Sequence, residues 1–131
     1  MTHNVLFAEP KDETLLIEGW LAEAREEGRQ DVYAGKRRQP RVEWNAPVIV
    51  QPEDDSDRTY YVTTLNISAG GMGLRCGEAI SPRTRIRLFV NDGVDCVIGV
   101  VRHCSSTVGG YIVGVEFVIE KQQTVRLAKT A

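Results

Sequence analysis

The feature that most constrains this chain begins at Val42, where apolar residues start to recur at every second position. Val42, Trp44, Ala46, Val48 and Val50 alternate with Glu43, Asn45, Pro47, Ile49 and Gln51. A period of two buries one face of a strand and cannot form one stripe on a helix. Pro47 cannot donate to a ladder, so it marks an edge or a bulge. Thr59 to Ile67 follows, rich in β-branched and aromatic residues (Tyr60, Tyr61, Val62, Thr63, Thr64). A strand through Leu74-Arg75-Cys76 comes after a glycine-rich stretch. Thr84 to Val90 alternates again, with Ile86, Leu88 and Val90 inward and Arg85 and Arg87 outward. Asp95 to His103 carries Val97, Ile98, Val100 and Val101, and Tyr111 to Ile119 sets Val113, Val115 and Phe117 on one face. Between these runs lie an acidic turn from Pro52 to Arg58, the hairpin signal Asn91-Asp92-Gly93, and a loop from Ser105 to Gly110. Six short strands separated by turn chemistry predict a mainly β fold, an antiparallel barrel or sandwich.

The first 35 residues read differently. Asp12 has the chemistry of a helix N-cap, with Glu13 in the first turn. Leu16, Ile17, Trp20, Leu21 and Ala24 then follow the 3.6-residue period, with Glu18, Glu23, Glu26 and Glu27 mostly opposite, and Gly28 is a stop signal. Gly19 weakens such a helix by about 1 kcal/mol relative to Ala. A helix this short is marginal alone, so its apolar face needs a surface, on its own domain or on another protein. The expected organisation is an N-terminal helical extension and connector over residues 1–35, a β domain over 36–120 and a tail over 121–131. The tail has helix-forming composition and weak amphipathicity, compatible with a short C-terminal helix or a frayed end.

Composition bounds the function. The chain has 131 residues, 42% hydrophobic and 26% charged, with a formal net charge of -2. That is an ordinary globular balance, and the length permits a real core without disulfide staples. Cys76, Cys96 and Cys104 are odd in number and lack metal or redox spacing, so the expected state is reduced and cytoplasmic. No apolar run approaches the roughly 20 residues of a membrane span, and Met1 to Val5 does not open a secretory signal. Mild acidity argues against general DNA or RNA binding, which needs a broad basic face. The concentrated positive charge is Lys36-Arg37-Arg38-Gln39-Pro40-Arg41, four cations in six residues just before the first strand. Its plain reading is a solvated linker. Its sharper reading is a grip for a small anion, since an arginine fork binds phosphate bidentately and also reads or stacks on guanine.

Two motifs carry the sharper reading. Arg37-x-x-x-Arg41 precedes the first strand, and Asn66-x-Ser68-x-x-Gly71 lies 25 residues beyond Arg41. Together, in this order and on these elements, they resemble the RxxxR and (D/N)xSxxG pattern of the PilZ domain family. The likeness extends through Gly71-Met72-Gly73-Leu74, Gly99-Val100-Val101-Arg102 and Gly114-Val115-Glu116-Phe117, about residues 36–118. The resemblance implies a six-stranded antiparallel β-barrel and a bacterial receptor for cyclic di-GMP, a ligand with two phosphodiesters and two guanines. By resemblance Arg37, Arg41, Asn66, Ser68 and Gly71 belong to the site. Lys36 stands where many members have another Arg and lacks the planar fork. Gly70, with Gly71, would let backbone approach a base. Arg38 and Arg102 are additional candidate contacts, with an exposed loop charge and an exposed strand charge as the plain alternative.

Other chemistries fit poorly. Ser68 lies outside a GxSxG elbow, and no helix pattern follows it. The glycines form neither GxGxxG nor a Walker loop. His3, His103 and the cysteines lack metal spacing, and Glu53, Asp54, Asp55 and Asp57 lack the calcium-loop pattern. An oligonucleotide-binding barrel would need stacking aromatics on a basic face, and only Trp44, Tyr60 and Tyr61 offer themselves. The expectation is therefore a non-enzymatic receptor without cofactor or metal, acting through an unidentified protein effector when ligand orders the basic connector, as a monomer or homodimer. The competing expectation is a PilZ-like interaction module that binds no nucleotide.

Overall fold

The computed structural model describes residues 12–27, 40–55 and 57–119. Lys36, Arg37, Arg38, the stop signal at Gly28 and the tail lie outside these residues. Helix α1 spans Glu13–Glu27. Asp12 caps it as its side chain predicts, with its Oδ1 accepting the Thr14 N–H at 2.7 Å. The strands are β1 (Val42–Glu43), β2 (Pro47–Pro52), β3 (Tyr60–Ile67), β4 (Gly71–Cys76), β5 (Arg85–Val90), β6 (Val97–Thr107) and β7 (Gly110–Val118). They pair antiparallel in the order β1-β3-β2-β5-β6-β7-β4, and β4 pairs back onto β3. The result is a closed six-stranded barrel with β1 as an extra strand outside the ring.

The alternation read from Val42 to Val50 is present as burial, but the strand is broken at residues 44–46. Its register against β3 shifts there, from Val42↔Ile67 to Pro47↔Thr63. The cause is the buried Thr64. Its hydroxyl donates to the Trp44 carbonyl at 2.9 Å and accepts the Ala46 N–H at 2.8 Å. A side chain thus satisfies backbone groups that the irregular segment takes off the ladder. A second correction concerns the expected loop at Ser105 to Gly110. Strand β6 runs through Ser105, Ser106 and Thr107, each paired with β7, and only Val108 and Gly109 turn the chain. Serine and threonine carry no apolar alternation there, so the pairing partner, not the local pattern, makes this strand.

The core fills the ring from every strand, with Val48, Val50, Ile67, Leu74, Ile86, Leu88, Val97, Val101 and Val113 all but inaccessible. Helix α1 settles which surface its apolar face needs: it packs on its own barrel, against β1 and β6. Ile17, Trp20, Leu21 and Ala24 are buried, and the Trp20 ring meets Phe117 at 6.3 Å between centroids. Burial of side chains such as Ile17 and Leu21 is worth about 1.5–3 kcal/mol each, which outweighs the marginal stability of a lone helix. The Asn91 amide adds a tie to the Glu23 carboxylate at 3.0 Å.

Candidate functional site

A hollow of about 450 Å³ opens on the outer wall of the barrel where the β3–β4 turn meets β6 and β7. Arg41, Ser68, Gly70 and Gly71 form one side, and Arg102, His103, Gly114 and Glu116 form the other. Residues 25 or more apart in sequence meet here because β4 pairs with β7 and sets Gly71 opposite Glu116.

The first motif enters through Arg41. Its Nη1 donates to Asn66 Oδ1 at 3.3 Å, and the same oxygen accepts the Gly73 N–H at 3.1 Å. Asn66 therefore works as a bracket that fixes both the strand behind it and the guanidinium beside it. A Cβ at residue 73 would lie 3.0 Å from that oxygen, so Gly73 makes room for the bracket. Ser68 is buried, and its hydroxyl accepts the Gly70 N–H at 3.3 Å and donates to the Gly71 carbonyl at 3.4 Å. Together with Ser68 N–H to Gly71 O at 2.8 Å, these bonds close the tight turn of the second motif. Phe117 N–H donates to Gly70 O at 2.8 Å and staples that turn to β7.

A close backbone approach does occur at Gly71, but it is made by the chain's own β7. A Cβ there would sit 2.2 Å from the Val115 carbonyl oxygen. The positive φ values found among the described glycines belong to Gly109 and Gly110 instead.

On the far side a β-bulge lies between Val101 and His103, where β6 gains one residue on β7. Bulges re-aim side chains. This one leaves both Arg102 and His103 on the hollow. Arg102 Nε donates to Glu116 Oε1 at 2.5 Å across the ladder. The His103 ring covers Gly114, whose missing Cβ would lie 2.2 Å from Nε2. The sequence-based candidates Arg41, Asn66, Ser68, Gly70, Gly71 and Arg102 thus come together, while Lys36, Arg37 and Arg38 lie outside the described residues. Pro40 and Arg41 are nonetheless where that basic run joins the barrel.

Sequence reasoning missed His103, Gly114 and Glu116. Gly114 and Glu116 fall within the wider PilZ-like stretch but nothing local assigns them or His103 to the site, since the bulge that gathers them is a property of the β6–β7 pairing. The chemistry offered is that of an anion and heteroaromatic site. It holds guanidinium groups on two sides, a ring platform, amide and hydroxyl groups, and one carboxylate able to accept from ring N–H donors.

A sequence profile described as the PilZ domain matches residues 35–129. Among solved structures, that of the Bacillus subtilis inhibitor of motility (MotI/DgrA) superposes with a TM-score of 0.51 at 20% identity. The match covers 72% of this chain and 48% of that one, so the chain spans about half the length of that structural relative. At this identity the likeness is one of fold. No curated protein matches the sequence.

Proposed function

Because the chain belongs to the PilZ domain family, we propose that it is a regulator that binds cyclic di-GMP in the hollow between the β3–β4 turn and the β6–β7 bulge. The observation that carries this reading is the convergence of Arg41, Ser68 and Gly71 with Arg102 on one concave surface. Two anionic phosphodiesters need cations placed to reach them, and guanine needs a planar fork or ring to stack on and polar edges to read. Arg41 is held in place by Asn66 before ligand arrives, so less side-chain entropy is lost on binding. His103 offers a ring face on Gly114, and Glu116 an acceptor for guanine N–H groups.

The basic run supplies the coupling. Lys36, Arg37, Arg38 and Arg41 repel one another until phosphates neutralise them, so ligand draws the run onto the barrel. Since α1 precedes this run and packs on the barrel, the same event changes the surface shown to a protein effector. In this reading the protein is a cytoplasmic, non-enzymatic receptor.

Calorimetric titration with cyclic di-GMP tests it. Wild type should release heat, and Arg41→Ala should weaken binding by about tenfold or more, the loss of one charge-assisted contact of about 1.5–3 kcal/mol. Equal affinities for wild type and Arg41→Ala would reject the site. One observation favours the second reading, a nucleotide-free interaction module. Asn66 and Ser68 already have structural work in the β3–β4 turn, which would keep them in place without a ligand. A silent wild-type titration would select that reading.

A further inference from the structure

A closed barrel should leave no long strand edge open, yet β6 outruns its neighbour. Strand β5 pairs with β6 only from Leu88↔Val97 to Arg85↔Val100. The last bonds on that side are Val101 N–H to Thr84 O at 2.9 Å and Arg83 N–H to Val101 O at 2.7 Å. The chain before Arg83 is Pro82, which has no N–H to give. Strand β6 continues to Thr107, and from Arg102 onward it is paired with β7 alone among the described residues. Ser105, Ser106 and Thr107 are exposed, and Cys104 is half-buried.

In an antiparallel ladder every second residue directs its N–H and C=O away from the partner strand. Such an edge is a template for another strand, and proteins normally guard it with charge, proline, a bulge or a cover. Here the bulge and the one cation, Arg102, stand at the barrel end of the edge, and Arg102 is turned across β7 to Glu116. Cys104, Ser105, Ser106 and Thr107 carry no charge and no proline.

We propose that this open edge of β6 pairs antiparallel with the same edge of a second copy of the chain. Symmetry makes an isologous joint self-complementary only where no side chain meets its own charge. A register centred on Ser105 sets Ser105 on Ser105, Cys104 on Ser106 and His103 on Thr107, so no like charges oppose. The central Ser105–Ser105 pair can hydrogen-bond hydroxyl to hydroxyl, a favourable kind of cross-strand contact. A foreign strand would need pockets or charges for its selection. The small uncharged side chains of this edge supply neither, which leaves backbone pairing with an identical edge. The joint stands independently of whether the protein binds nucleotide.

Sedimentation of the full chain over a range of concentrations tests the pairing. The wild type should shift with concentration from the mass of one chain to that of two. Ser105→Lys, which sets a cation against its own copy, should stay monomeric, as should Ser105→Glu. An equimolar mixture of the two should recover the dimer, which a folding defect could not do. Should either variant fail to fold, hydrogen exchange on the wild type replaces it, with protection of the amides within residues 103–107 that face away from β7 rising as concentration rises. A wild type that stays monomeric, or a dimer untouched by Ser105→Lys, or protection that rises elsewhere and not on this edge, overturns the proposal.

Discussion

Two glycines that line the candidate site, Gly71 on β4 and Gly114 on β7, provide a matched experiment. A Cβ on Gly71 would fall 2.2 Å from the Val115 carbonyl oxygen, 3.2 Å from its carbon and 3.3 Å from Glu116 Cα. A Cβ on Gly114 meets the same overlap, 2.2 Å, but with the tip of the His103 ring. Ordinary contact begins at 3.4 Å, so each substitution must open about an ångström of space. At Gly71 only the β4–β7 ladder can yield, and with it the Phe117 to Gly70 bond. Overpacking against backbone of this kind costs about 1–3 kcal/mol. At Gly114 the exposed imidazole can swing into solvent, and alanine in a strand regains about 0.5–1 kcal/mol relative to glycine. Thermal unfolding should therefore show Gly71→Ala about 4–20 °C below wild type and Gly114→Ala within about 4 °C of it. Gly114→Ala should at the same time bind cyclic di-GMP more weakly, because His103 has lost its seat. If Gly114→Ala falls as far as Gly71→Ala, or if Gly71→Ala is neutral, the assignment of one contact to backbone and the other to a mobile ring is wrong.

Other outcomes follow from single contacts. Thr64→Val keeps the shape of a side chain 1% exposed but strands the Trp44 carbonyl and the Ala46 N–H, so it should cost about 1–3 kcal/mol in denaturant unfolding, while Thr64→Ser should recover most of it. Burial, with a smaller effect from neighbouring Cys104, pushes the Cys76 thiol up to about 11; at pH 8 the native protein should leave Cys76 unmodified by a thiol reagent until denaturant is added, as read by mass spectrometry. The Arg85 guanidinium bonded to Glu53 at 2.7 Å holds that carboxyl below its usual 4.5. A lowered carboxyl stabilises the fold above its ordinary value and loses that contribution as pH falls through the folded one. Glu53→Gln should therefore be less stable than wild type at pH 7, by under about 1 kcal/mol because the pair is partly exposed, and the two should converge in acid.

Much of this arrangement is legible in the sequence, for a physical reason in each case. Period-two burial fixes which residues of β2, β5 and β7 face the core, because a one-residue slip would expose all of them. The Asp12 cap and the Ile17, Trp20, Leu21 and Ala24 stripe announce α1 because a helix end and a helix face have local chemistry. The Asn91-Asp92 turn is equally local, with both residues at positive φ. The motif residues Arg41, Ser68 and Gly71 are gathered by the fold on one hollow, with Asn66 bonded to Arg41 beside it. What escaped was created by pairing between distant strands. The break at residues 44–46 depends on a threonine hydroxyl some 20 positions away. The continuation of β6 through Ser105, Ser106 and Thr107 depends on β7. The exposure of His103 to the hollow depends on a bulge, which adds a residue without changing the local pattern. From sequence Gly71 reads as a place for a ligand to approach, and the approach that requires glycine in the folded chain is that of the Val115 carbonyl.

The direct measurement is an amide chemical-shift map of the full chain titrated with cyclic di-GMP. Saturable shifts are expected on Arg41, Gly70, Gly71, Arg102, His103 and Gly114, the two walls of one hollow. Saturable shifts that cluster on another face of the barrel and leave those amides unmoved, or no shifts at all, would contradict the proposed site.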